Sequence, residues 1–171
     1  MNKILNVLSI ILLLFLILSC SKSDEEYLKD FNNYEVVLSN NDYDVNLSNG
    51  AIESDYFEIN DSLVLSQKQR LELAKIFFDN KINKPNCTRF ISNHDGARIS
   101  PDITTSIITK YFGKDKNIIT ISGYADSMKV RKEDIRYLRF ESKVYKVLNQ
   151  NEKFKEIEKS IDSKVDDRVY L

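Results

Sequence analysis

The sequence of 171 residues contains no tryptophan, two prolines, four glycines, two cysteines and one histidine. It also lacks a charge bias, because 25 basic and 26 acidic residues give a formal net charge of −1. A phosphate backbone is held by a field of Lys and Arg, so this balance argues against nucleic acid as a partner. No block of sequence recurs along the chain, which argues against a repeat fold.

Motifs of several enzyme classes are also missing. The chain has no glycine-rich phosphate loop, no Gly-x-Ser-x-Gly nucleophile elbow and no His-Glu-x-x-His zinc motif. Its strand and helix patterns do not alternate as they do in a nucleotide-binding parallel sheet. We therefore predict no cofactor and no metal, and the sequence does not favour an enzyme.

A long apolar run is present at the N-terminus. After a short start that contains Lys3, residues 4–18 are almost entirely aliphatic. A membrane-spanning helix needs about 20 apolar residues. This shorter run behind a positive start is typical of a secretory signal peptide. The alternatives are an uncleaved membrane helix and an ordinary signal peptide in which the cysteine at its end is incidental.

The apolar run ends in Ile17-Leu18-Ser19-Cys20, which resembles the lipobox of bacterial lipoproteins. The resemblance implies a signal peptide over residues 1–19, cleavage before Cys20, a diacylglycerol on its sulfur and acylation of the new amino group. Two acyl chains hold a protein firmly on a bilayer. A membrane is therefore the first expected partner. The other thiol, Cys87, would then have no cysteine with which to form an intrachain disulfide.

Residues 20–30 are predicted to be the lipidated cysteine and a flexible tether, because residues 21–26 are polar and show no apolar periodicity. Ser21 is compatible with sorting to the outer membrane of a Gram-negative cell. Lys22, Asp24 and Glu25 resemble the export signal of surface-displayed lipoproteins in the Bacteroidetes. A solvated spacer beside the headgroups explains the same residues, so an envelope location is predicted and surface display stays open.

Residues 31–171 are predicted to form one α+β domain. The first half predicts strands over 34–39, 43–47 and 52–59, with Asn49-Gly50 as a hairpin turn. Ser66 and Gln69 form a capping-box pattern that predicts a helix, which should end before Pro85.

The second half predicts a short strand over 87–92 and a hairpin of strands 103–112 and 117–124 with a charged loop. Helices are predicted over 133–163, with a break at 149–151. Their apolar positions recur every seven residues and should face the core: Phe140, Val147, Phe154 and Ile161. The resulting architecture is an antiparallel sheet, made of a meander and a hairpin, with helices packed on one face.

Few residues are candidates for catalysis. Cys87 and His94 form a conceivable nucleophile and base, but a buried structural cysteine and an exposed turn histidine are the favoured interpretations. Three pairs of adjacent acids, Glu25-Glu26, Glu133-Asp134 and Asp166-Asp167, are predicted to be solvated surface. No catalytic, cofactor-binding or metal-binding residue is predicted, and Cys20 is predicted to be the lipidation site.

Two tripeptides, Asp61-Ser62-Leu63 and Asp126-Ser127-Met128, resemble the O-glycosylation acceptor pattern of Bacteroidetes secreted proteins. The resemblance implies modification of Ser62 and Ser127, but turn or helix-cap chemistry suits both places and is the favoured interpretation.

Three functions stay open. The favoured one is a non-enzymatic binding or inhibitory module that is anchored in the envelope and binds a protein or a glycan. The second is a structural or assembly accessory of an envelope complex. The third is a small hydrolase that uses Cys87 and His94.

Overall fold

A computed structural model describes residues 22–84, 87–93 and 103–165, and every structural statement below concerns these residues. The predicted signal peptide, Cys20, His94 and the Asp166-Asp167 pair lie outside them. The described chain has the predicted α+β class, with seven strands in one sheet and four helices.

The elements follow one another as helix, four strands, helix, three strands and two helices. Their bounds are α1 (Asp24–Phe31), β1 (Tyr34–Ser39), β2 (Asp44–Asn46), β3 (Ala51–Ser54), β4 (Ile59–Ser62), α2 (Gln67–Asp79), β5 (Thr88–Ile91), β6 (Thr104–Tyr111), β7 (Lys114–Ser122), α3 (Ile135–Leu148) and α4 (Glu152–Val165).

The sheet is mixed, with the strand order β4-β3-β2-β1-β6-β7-β5. Neighbouring strands are antiparallel except β5 and β7, which are parallel. The prediction of a purely antiparallel sheet was therefore wrong at this edge. Turn signals predict that a strand ends, but they do not say which strand becomes its neighbour.

Local signals placed most reversals correctly. Gly50 lies between β2 and β3 at φ +85°, as the Asn49-Gly50 pair predicts. Residues 52–59 are two strands rather than one, because the chain reverses before Glu58, which has φ +55°. The β6–β7 turn is the pair Phe112-Gly113, with φ of +47° and +74°, so the lysines predicted to lie in its loop belong to β7.

The predicted tether is helical from Asp24 onward, so the prediction of a flexible segment over 20–30 was wrong there. Ser23 caps α1: its hydroxyl accepts a hydrogen bond from the Glu26 amide (3.2 Å), and the Glu26 carboxylate accepts one from the Ser23 amide (2.9 Å). Phe31 is buried and packs against Phe77 of α2, with ring centroids 5.4 Å apart. The helix is therefore part of the fold.

The core is built on a row of buried aliphatic side chains that are paired in register across five strands. In order across the sheet, the row consists of Ile52, Val45, Leu38, Ile107 and Ile119. Helical side chains complete the same cluster, including all four predicted heptad positions: Phe140, Val147, Phe154 and Ile161. That part of the helix prediction is confirmed.

Alternate residues of the same strands point to the opposite face of the sheet, since successive side chains on a strand alternate. Val37, Ile108 and Ile118 form a second row there, and Ile118 is exposed. Lys110 and Glu35 form an ion pair of 3.2 Å beside it. This face is more polar than the core face.

Candidate binding site

Two neighbouring turns form a concave site beside Ser39, the last residue of β1. Asn40 shapes the first turn, because its side-chain oxygen accepts hydrogen bonds from the amides of Asp42 and Tyr43, both at 2.8 Å. Its own amide donates to the Tyr43 carbonyl at 3.0 Å. The turn between β1 and β2 is therefore fixed by one side chain.

Ser54 ties the second turn to the first. Its hydroxyl donates to the Asp42 carbonyl (2.5 Å) and accepts a hydrogen bond from the Phe57 amide (3.3 Å). Ser54 is itself buried, so this link lies in the wall between the two turns. The β1–β2 and β3–β4 turns consequently form one continuous surface.

Residues 40–44 and 53–56 line an open cleft of about 300 Å³, which we call the acidic cleft. Among these lining residues there is no Lys or Arg. Tyr56 stands at the rim with 71% of its surface exposed. The lining contains four carboxylates: Asp42, Asp44, Glu53 and Asp55.

Two of these carboxylates oppose each other directly. Asp44 of β2 and Glu53 of β3 are cross-strand partners, and both side chains are exposed. Like charges in this position destabilise a strand pair. The arrangement creates a negative field in the cleft, which attracts a cationic group and steers its approach.

A part-buried hydrogen-bond network lies behind two of the lining residues, Asn40 and Tyr43. Tyr43 donates a hydrogen bond to the Glu158 carboxylate at 2.8 Å, and Tyr145 accepts one from the Asn40 side-chain amide at 3.2 Å. Burial raises the pKa of both phenols, so they stay protonated. The network therefore holds Asn40 and Tyr43 in place in the lining of the cleft.

Glu141 of α3 lies in the same region of the core. Burial raises the pKa of its carboxyl group, and a hydrogen bond with Thr105 acts in the opposite direction. No described group of three His, Cys, Asp or Glu side chains is arranged to hold a metal ion. The geometry of the cleft suits a ligand that is bound through charge and hydrogen bonds.

No known protein family, curated protein or solved structure matches this chain. In the described part of the chain, none of the helices combines the length and apolarity needed to cross a bilayer.

Cys87 is exposed just before β5, so the prediction of a buried structural cysteine was wrong. The physical reason is that β5 is the edge strand of the sheet and Cys87 lies outside its paired residues. Its conceivable catalytic partner, His94, lies outside the described residues.

Two of the three acidic pairs, Glu25-Glu26 and Glu133-Asp134, have structural roles that the sequence did not predict. Glu26 completes the cap of α1. Arg89, on the core-facing side of β5, forms ion pairs with Glu133 (2.5 Å) and with the buried Asp134 (3.1 Å). The prediction that Glu133-Asp134 is solvated was therefore wrong for Asp134. Alternation along β5 places Arg89 on the same face as the buried Ile91. This pattern was the sequence signal from which a core-facing Arg89 could have been predicted.

Both candidate glycosylation serines are exposed. Ser62 ends β4, and its amide donates to the Asp61 carboxylate at 2.7 Å. Ser127 lies in a turn in which Asp126 accepts a hydrogen bond from the Met128 amide at 2.8 Å. The turn chemistry is present at the second site, and modification of either serine stays a prediction.

Proposed function

We propose that this chain is a lipid-anchored protein of the bacterial cell envelope, held to a membrane through Cys20, whose domain is a non-enzymatic binding module. The lipobox-like sequence supports the anchor. The acidic cleft is the proposed binding site, and its proposed ligand is a cationic segment of a protein partner. The observation that carries this choice is the opposed pair Asp44 and Glu53 in an open cleft.

A Lys- or Arg-containing segment fits the cleft in two ways. Carboxylates accept charge-assisted hydrogen bonds from ammonium and guanidinium groups, which are stronger than neutral ones. Such a ligand also relieves the repulsion between Asp44 and Glu53, which neither a neutral nor an anionic ligand does. The exposed ring of Tyr56 offers a surface on which a guanidinium group can stack.

A glycan is the second candidate, and Tyr56 is the observation that favours it. An exposed aromatic ring beside the Asn41 side chain and several carboxylates provides stacking together with hydrogen bonds. An assembly accessory of an envelope complex would use the cleft in the same way as a protein-binding module, because it also docks on a protein.

The binding proposal is tested with arginine-rich and glutamate-rich peptides of equal length, titrated calorimetrically onto the protein. We expect the arginine-rich peptide to bind at low salt and to weaken as salt screens the charges. The double variant Asp44→Asn/Glu53→Gln should lose at least about tenfold in affinity. The control Glu25→Gln removes one acid from α1 and should bind normally. Equal affinity of the double variant, or salt-insensitive binding, would contradict the proposal.

The anchor is tested with Cys20→Ser. We expect this variant to leave the membrane fraction or to accumulate as a precursor, and to lose labelling by a radioactive or clickable fatty acid. Membrane fractionation that is unchanged, with no lipid label on the parent protein, would contradict the anchor. Protease treatment of intact cells, with a periplasmic control protein, would distinguish surface display from a location inside the envelope.

A further inference from the structure

The point at which the lipid would be attached lies very close to the folded domain. Cys20 precedes Lys22 by two residues, and an extended chain spans at most about 7 Å over that distance. Lys22 is itself fixed, because its ammonium group lies 2.5 Å from the Asp30 carboxylate and 4.5 Å from the centre of the Phe78 ring. An anchored domain therefore rests against the bilayer, and its contact face is set by the surroundings of Lys22.

An unbroken series of ring contacts leads from Lys22 to the tip of the β6–β7 hairpin. Phe78 contacts Tyr34, with centroids 6.0 Å apart, and Tyr34 contacts Tyr111 at 4.7 Å. Tyr111 contacts Phe112 at 4.5 Å. We call this surface, from Lys22 to Phe112, the anchor end of the domain.

Phe112 is an unusual residue for its position. It occupies a hairpin turn at φ +47°, where Gly, Asn or Asp is preferred, and 67% of its surface is exposed. A phenylalanine at this place contributes neither turn propensity nor burial to the fold. Its neighbour Tyr111 is 39% exposed, so the tip presents two aromatic rings to the outside.

Lysines surround these rings. Residues 80–84, which follow α2, and residues 111–116 of the hairpin together contain four lysines and one acid. The first segment lies near the rings: burial raises the pKa of the Tyr34 hydroxyl, and the Asn83 side chain is close enough to that hydroxyl to act in the opposite direction. In the second, the ammonium group of Lys116 lies 5.7 Å from the centre of the Tyr111 ring. Exposed aromatic rings among lysines are typical of surfaces that rest in a lipid interface.

We propose that the anchor end docks on the membrane surface, with the Phe112 ring inserted at the headgroup level and Lys81, Lys84, Lys114 and Lys116 on anionic headgroups. This inference rests on the proposed lipid anchor at Cys20, which delivers this end of the domain to the bilayer. β1 runs from Tyr34 at the anchor end to Ser39 beside the acidic cleft, a length of about 17 Å. The docked domain therefore holds the acidic cleft away from the membrane, open to a partner.

The absence of tryptophan from the sequence makes a single-site test possible. The lipidated full-length protein carrying Phe112→Trp is reconstituted into vesicles that contain anionic lipid and lipid brominated near the headgroup end of its acyl chains. The matched control is Tyr56→Trp, which replaces an exposed aromatic residue at the rim of the acidic cleft. Co-flotation with the vesicles is measured in the same samples.

We expect both proteins to float, and bromolipid to quench the tryptophan of Phe112→Trp severalfold more than that of Tyr56→Trp. Replacing Lys114 and Lys116 by Glu in the Phe112→Trp protein should reduce this quenching. If both proteins float and the Phe112→Trp protein is not quenched, the docking proposal is overturned and the anchor stands. If neither protein floats, the anchor fails and the docking proposal fails with it. Blue-shifted emission in native membranes but not on vesicles would assign the tip to a protein neighbour and overturn the lipid contact.

Discussion

Gly50 and Gly113 both adopt a left-handed backbone, with φ of +85° and +74°, but their surroundings differ. A Cβ atom at Gly50 would lie 2.3 Å from the carbonyl oxygen of Leu63. That contact exists because the Leu63 amide donates to the Gly50 carbonyl at 2.7 Å and holds the two backbones together. At Gly113 no described atom lies within 4 Å of such a Cβ.

Gly50→Ala should therefore cost much more stability than Gly113→Ala. We expect a loss of about 3 kcal/mol for Gly50→Ala, which adds a backbone clash to the strained φ, and of about 1 kcal/mol for Gly113→Ala, which adds the strain alone. Urea unfolding of both variants measures the difference. Equal losses would show that the close approach of Leu63 relaxes freely.

Glu141 predicts a specific pH dependence of stability. Because burial raises the pKa of this carboxyl group, the folded state disfavours its charged form. The contribution of the protonated carboxyl group to the free energy of unfolding is fully present below pH 4.5, the ordinary pKa of the group. It is lost as the pH rises through the raised pKa that the group has in the folded state.

Glu141→Gln should thus stabilise the protein at neutral pH and have little effect below pH 4.5. The measurement is the free energy of unfolding on both sides of that value. Glu152→Gln, on the exposed start of α4, is the matched control and should show no such pH-dependent gain. A gain that is the same at both pH values would contradict the assignment to Glu141.

At the scale of elements, helix starts were the most predictable feature. Ser66 and Gln69 form the reciprocal cap that the sequence predicts, and α2 begins directly after Ser66. Ser23 and Glu26 form the same motif at α1, but the segment is short and highly charged, so it was interpreted as a tether. What stabilises α1 is its packing on α2, which the local pattern does not reveal.

The position of β5 was the least predictable. Its residues were predicted to be a strand, and Thr88–Ile91 confirm this. Its parallel neighbour β7 and the partners of Arg89 depend on contacts between distant parts of the chain, which no local signal specifies. For the same reason the acidic cleft was not found from the sequence, since it combines two turns that are separated along the chain by β2 and β3.

The ion pairs of Arg89 should hold β5 to the start of α3. Arg89→Met keeps the apolar stem but leaves the buried Asp134 without its cation, and we expect a loss of about 2 kcal/mol. Lys110→Met breaks an exposed ion pair with Glu35 on the sheet face opposite the core, and it should lower the stability by less than about 1 kcal/mol. Thermal or urea unfolding compares them. Similar small losses for both would mean that Asp134 is stabilised by other groups.

At the scale of the whole molecule, α1, the sheet and the other helices share one hydrophobic cluster. Phe31 of α1 and Phe154 of α4 both belong to it, although they lie near opposite ends of the described chain. Such a molecule has no obvious internal boundary at which one part unfolds before another. The fold class was predictable from patterns that run along the chain. The burial of α1 and α4 in one hydrophobic cluster was not, because it depends on contacts between distant parts of the sequence.

We therefore predict that α1 unfolds together with the rest of the domain. Its backbone amides, such as that of Tyr27, should exchange with solvent about as slowly as those of the central strands, as measured by hydrogen exchange. Phe31→Ala should lower the stability of the whole domain by about 3 kcal/mol. Fast exchange of the α1 amides, with slow exchange in the strands, would instead support the interpretation of this segment as a flexible tether.

The parallel pairing of β5 has a consequence for the order in which the protein is made. Chains are synthesised from the N-terminus, so β2, β3 and β4 emerge with neighbours that are adjacent in sequence, and β1 has β2 on one side while its other edge pairs with the later β6. β5 emerges before β7, its only described sheet partner, which is complete only at Ser122. During that interval the backbone N–H and C=O groups of Thr88–Ile91 have no strand partner, and an unpaired strand edge can form hydrogen bonds with another chain. A chaperone that covers exposed strand edges would act during this interval.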